Sequence, residues 1–87
     1  MSQKEKRLLR LFKAPPAKDF TWEELLTVMR AAGFEEKCDG GSHYSFTHAS
    51  GFIFKASKTH PTGILKHYQI MDAQDALRYV GEDPENF

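Results

Sequence analysis

Gly33 divides the chain into two kinds of sequence. Before it, Trp22, Leu25, Leu26 and Met29 recur on one face of a 3.6-residue period; after it, Phe34, Glu36 and Cys38 alternate with Glu35 and Lys37 at a period of 2. A helix stripe and a strand face cannot exchange roles, because side chains at i and i+4 share a helix face while successive residues of a strand point to opposite sides. One change of period at a glycine therefore commits the chain to a helix followed by a sheet. The α+β class follows.

The punctuation around that change fixes the other elements. Ser2 and Glu5 have capping-box spacing, and Leu8, Leu9, Leu11 and Phe12 form an apolar stripe, which predicts a short first helix ending before Pro15-Pro16. Thr21 and Glu24 repeat the capping box, with Phe20 and Leu25 spaced as a hydrophobic staple, so a second helix should run from about Trp22 to Ala32. Gly33 suits its left-handed end, with Phe34 closing back on Met29. Asp39-Gly40-Gly41 then supplies a hairpin turn, Ser42–His48 a second strand, Ala49-Ser50-Gly51 a turn, and Phe52–Ala56 a third strand. In the second strand Tyr44 and Phe46 point one way while His43, Ser45 and Thr47 point the other. Ile70, Ala73, Leu77 and Val80 return to helical spacing up to Gly81. The expected architecture is a three-stranded antiparallel sheet with helices on one face, in the order α-β-β-β-α, plus an extra short N-terminal helix.

Size limits what such a fold can do. With 87 residues, 40% of them hydrophobic, one core is possible and a second is not, which excludes a multidomain cofactor enzyme. The expected organisation is an N-terminal helix and Pro-Pro linker over 1–18, a main domain over 19–81 and a fraying acidic tail over 82–87. Apolar runs are short and the N-terminus is polar, so neither a membrane span nor a signal peptide is expected, and the expected setting is cytoplasmic. A single cysteine forbids an intramolecular disulfide.

Charge is balanced overall, twelve basic groups against twelve acidic, but unevenly placed. Residues 37–71 carry four basic groups, one acidic group and all four histidines, whereas residues 72–87 carry one basic and five acidic groups. A basic middle beside an acidic end points to a polyanion partner.

Within that middle, Gly40-Gly41-Ser42-His43 places a histidine just after a glycine turn. Glycines let a ligand approach the backbone closely, and histidine exchanges a proton near neutral pH. Those are the needs of phosphate chemistry. Cleaving RNA requires removing a proton from a ribose 2′-hydroxyl, stabilising charge around phosphorus and protonating the leaving oxygen. A lone strand histidine is more often an exposed polar residue than a catalyst, so chemistry alone leaves both readings open.

A longer series adds to it. Thr21-Trp22-Glu23-Glu24-Leu25-Leu26, Ala32-Gly33-Phe34, Gly40-Gly41-Ser42-His43 with Phe46 and His48, then His60-Pro61, Ile64-Leu65-Lys66 and Tyr68-Gln69 together resemble the HicA family of toxin ribonucleases, over about residues 19 to 81. The resemblance implies a fold like a double-stranded RNA-binding domain and a metal-independent mRNA interferase that blocks translation. It implies a HicB-like antitoxin as partner, mRNA as substrate, no cofactor, and His43 as the catalytic histidine. Around it, Gly41, Ser42, Lys55, Lys58, His60 and Lys66 are the expected RNA contacts. Two departures stand out: the extension over 1–18, and neutrality where small RNA-binding toxins are often basic.

Other readings compete. The same fold without cleavage would be an RNA-binding module gripping A-form backbone, and the polar sheet face alone would make a protein-interaction domain. His48 shares a strand face with Tyr44 and Phe46 and reads as a partly buried structural histidine. His67 reads as a helix-start residue with no special role, Cys38 as a small core residue, and Trp22 as core rather than a stacking platform. His43 and His48 face opposite ways, which argues against a metal site.

Overall fold

The computed structural model describes residues 3–58 and 63–86. Its elements are α1 (Gln3–Leu11), α2 (Trp22–Ala31), β1 (Phe34–Gly40), β2 (His43–His48), β3 (Ile53–Ser57) and α3 (His67–Tyr79), followed by one turn of 3₁₀ helix over Pro84–Asn86. The strands form one antiparallel sheet in the order β1-β2-β3. The α+β class and the meander are as the sequence predicts.

The second helix starts where its cap says. Thr21 is extended, its hydroxyl accepts the Glu24 N–H at 3.1 Å, and the Glu24 carboxylate accepts the Thr21 N–H at 3.3 Å. At the other end the Gly33 amide donates to the Arg30 carbonyl at 3.1 Å, with Gly33 at φ +92°. The capping pair proposed for α1 includes Ser2, which lies outside the described residues.

Phe20, Trp22, Leu25, Met29, Phe46 and Leu77 are fully buried in one core, with Phe34, Ile70 and Ala73 beside them. Trp22 lies 5.2 Å from the Tyr44 ring and 5.9 Å from that of Phe46, centroid to centroid. It is a core residue. On the inner face of the sheet, Phe46 and Phe54 pair across the strands with rings 5.7 Å apart. The outer face carries Glu35, Lys37, His43, Thr47, Ile53, Lys55 and Ser57, all exposed.

The N-terminal helix belongs to the same core. Leu8 and Leu11 are buried in it. Arg10 ties the helix to the start of α2, bridging Asp19 at 3.0 Å and Glu24 at 3.1 Å with its guanidinium over the Phe20 ring. At the other end of the chain, a fraying tail is not what is found. Asp83 is buried, and the 3₁₀ turn after it packs on α1, because Gly81 at φ +76° redirects the chain there. Among the described residues no helix is long and apolar enough to cross a membrane.

Cys38 departs from expectation. It is exposed, in the outer half of β1, where burial ends and the strand runs on to the hairpin tip, and its thiol points at the Gly41 carbonyl, 3.6 Å away.

Candidate functional site

The β1–β2 hairpin carries the site. Its tip is later in sequence than Asp39-Gly40-Gly41 suggests: Gly40 pairs with His43, so the turn is Gly41-Ser42, and a bulge between Cys38 and Gly40 takes up Asp39. Gly41 has φ +56°, the left-handed geometry that glycine adopts without strain. Ser42 therefore belongs to the turn rather than to the strand. His43 opens β2 on the exposed outer face, as strand alternation predicts.

Opposite His43 stands Ser57, the last residue of β3. Its hydroxyl lies 3.3 Å from His43 Nδ1. Two rungs along, on the same face, Ser45 pairs with Lys55, and the Ser45 hydroxyl donates to the Asp39 carboxylate. These residues edge a groove of about 510 Å³ between the end of β3 and the start of α3, lined by Asp39, His43, Lys55, Ser57, Tyr68 and Asp72, with Tyr44 and Phe54 deeper. Burial holds the Tyr44 phenol above its ordinary pKa, and neighbouring Cys38 adds to the rise, so Tyr44 is a neutral hydroxyl at physiological pH.

The expected RNA contacts divide. Lys55 shares the groove with His43. Lys58 is tied close by through its backbone, its N–H donating to the Ser42 carbonyl at 2.7 Å, but its side chain is not part of the groove lining. Lys66 is exposed at the N-cap of α3, where the Gln69 side-chain oxygen accepts its N–H at 2.9 Å, and it too stands outside the lining. Gly41 and Ser42 form the turn that precedes His43. His60 lies outside the described residues.

The other described histidines have different surroundings. His48 is mostly buried, its ring 4.9 Å from that of Phe34. The Ser50 N–H donates to His48 Nδ1 at 3.1 Å, so that nitrogen is an acceptor and the ring proton of the neutral form is on Nε2, 3.9 Å from Glu82. His67 is an exposed first residue of α3.

Asp39, Ser57, Tyr68 and Asp72 are among the groove residues that the sequence pattern does not single out. Ser57 was recoverable, because the Ala49-Ser50-Gly51 turn sets the count that puts residue 57 opposite residue 43. Asp39 was adjacent to the motif but masked as a turn former. Tyr68 and Asp72 reach the groove only because of where α3 packs, and local sequence carries no signal for that.

No family model matches the chain, and no curated protein and no solved structure matches it either.

Proposed function

We propose that the chain is a metal-independent RNA endonuclease of the HicA toxin kind, built on a fold like a double-stranded RNA-binding domain, acting on mRNA in the cytoplasm and held in check by a HicB-like antitoxin. The observation that carries this reading is His43 in an open groove beside Lys55, with Ser57 on its Nδ1. A nuclease of this size needs a group that exchanges protons, a cation for the phosphate and room for a polynucleotide, and these three occur together there.

In the proposed reaction His43 Nε2 takes the proton of a ribose 2′-hydroxyl. The 2′-oxygen then bonds to phosphorus and the P–O5′ bond breaks. The departing 5′-oxygen takes up one proton from water, leaving a 2′,3′-cyclic phosphate and a 5′-hydroxyl, and His43 returns its own proton to solvent. Lys55, which shares the groove, offsets charge on the phosphoryl oxygens, with Lys58 and Lys66 as outer phosphate contacts, His60 as a further contact, and Gly41 and Ser42 giving the backbone close approach. Asp39 and Asp72 on the groove walls oppose a phosphate backbone, so RNA affinity should be modest whether or not cleavage follows.

The test is cleavage of labelled RNA in excess EDTA by the wild type and His43→Ala. Cleavage by the wild type with loss of at least 100-fold in the variant is the expected result. Equal rates remove His43 from the mechanism, loss of wild-type activity in EDTA removes metal independence, and salt-sensitive binding without shortened products leaves an RNA-binding module.

A further inference from the structure

We infer that Ser57 is the positioning residue for His43, holding the imidazole through Nδ1 so that Nε2 is the nitrogen presented to a substrate. The catalytic consequence rests on the nuclease reading above; the geometry of the ring does not.

The hydrogen-bond ladder makes the pair. His48 N–H donates to the Phe52 carbonyl at 2.8 Å and Lys58 N–H to the Ser42 carbonyl at 2.7 Å. Backbone bonds between β2 and β3 therefore fall on the even-numbered residues. His43 and Ser57 form a rung without backbone bonds, the kind in which facing side chains approach most closely. On such a rung the Ser57 carbonyl points away from β2 towards the open side of β3. There it is taken by the Gln69 side-chain N–H at 2.8 Å, while the Gln69 oxygen accepts the Lys66 N–H. Gln69 is itself buried. The backbone of Ser57 is thus pinned to the first turn of α3, and its hydroxyl is held against the ring.

A hydroxyl suits this task because it both donates and accepts. With His43 neutral and acting as base, Nδ1 carries the ring proton and donates to Ser57 Oγ. After Nε2 takes the substrate proton, the Nδ1–H still points at the same oxygen, so the contact survives the step without rearrangement. The other ionisable or charged groups lining the groove are Asp39 from β1, Tyr44 from β2, Lys55 from β3, and Tyr68 and Asp72 from α3. Among the described residues only Ser57 hydrogen-bonds the ring.

Two measurements on the full chain test this. Long-range ¹H–¹⁵N spectra of His43 above pH 8 report which ring nitrogen carries the proton, independently of any activity. The Nδ1 signal of the wild type should be that of a hydrogen-bonded nitrogen, Ser57→Ala should shift it, and Ser57→Thr should restore the wild-type pattern. On RNA, Ser57→Ala should lower kcat by about two- to tenfold, the worth of one hydrogen bond, with KM unchanged and Ser57→Thr restoring the rate. Ser57→Asp should move the acidic limb of the pH profile upward, because a carboxylate beside the ring favours its protonated form. Unchanged ring signals in Ser57→Ala overturn the inference, as does an unaltered kcat in a chain that cleaves RNA. A wild type without cleavage whose ring signals still respond to Ser57→Ala removes the nuclease reading and leaves the positioning contact standing.

Discussion

The buried side-chain amide of Gln74 donates to the Leu11 carbonyl at 2.9 Å, joining α3 to the C-terminal end of α1. That carbonyl is among the last of its helix, a group with no intrahelical partner, and burial makes it dependent on the amide. Gln74→Leu leaves it unsatisfied and should cost about 1–3 kcal/mol. Leu11→Ala, which empties part of the core, should cost about 2–5 kcal/mol. Urea denaturation measures both. A negligible effect of Leu11→Ala would mean that α1 is an appendage rather than part of the fold.

Gly33 answers to His48. Its φ of +92° is strained for any residue with a Cβ, and an added Cβ would sit 3.4 Å from His48 Nε2. Gly33→Ala should therefore destabilise by about 1 kcal/mol or more. His48→Ala removes a packed ring and the acceptor for the Ser50 N–H, and should also destabilise. Neither group lies in the groove with His43. RNA cleavage by folded His48→Ala should remain near wild type, in contrast to His43→Ala, when both are assayed well below their melting temperatures.

Weak electrostatics should mark RNA binding. Lys55 is in the groove with Lys58 and Lys66 outside its lining, and acidic side chains share the walls. Three phosphate contacts on single-stranded RNA give a slope of log Kobs against log salt of about −2, and Lys55→Ala should reduce its magnitude by about 0.7. Filter binding of the inactive His43→Ala chain at several salt concentrations reads it. A slope unaffected by Lys55→Ala would place the phosphates elsewhere.

How much of this was legible follows from the range of each interaction. Thr21, Glu24 and Gly33 mark α2 because caps act within one turn, and Tyr44 and Phe46 separate from His43 because strand alternation is local. Cys38 reads as core but is exposed, because alternation gives a face and not how far along the strand that face stays buried. The tail reads as frayed from its acidic composition, which does not reveal that Asp83 is buried or that the turn after it packs against α1, some 70 residues away in sequence. The site divides in the same way. His43, Lys55 and the glycine turn come from sequence, Ser57 from counting rungs, and Tyr68 and Asp72 only from tertiary packing.

Acid sensitivity should be traceable to one ion pair. Arg30, at the end of α2, donates through Nε to both carboxylate oxygens of Glu36 on β1, at 3.0 and 2.9 Å, and through a terminal nitrogen as well. This hydrogen bonding, aided by the opposite charge, holds the Glu36 carboxyl below its ordinary value of 4.5. A carboxyl whose pKa is lowered by folding contributes stability that is fully present above its unfolded value and is lost as pH falls through the folded one. Glu36→Gln should accordingly lower Tm by a few degrees at pH 7. The gap should persist to about pH 5 and close as acidity increases further, when the wild-type carboxyl is protonated too. Melting curves of both chains across pH 3–7 provide the measurement. A gap independent of pH would assign the effect of Glu36 to packing rather than to its charge.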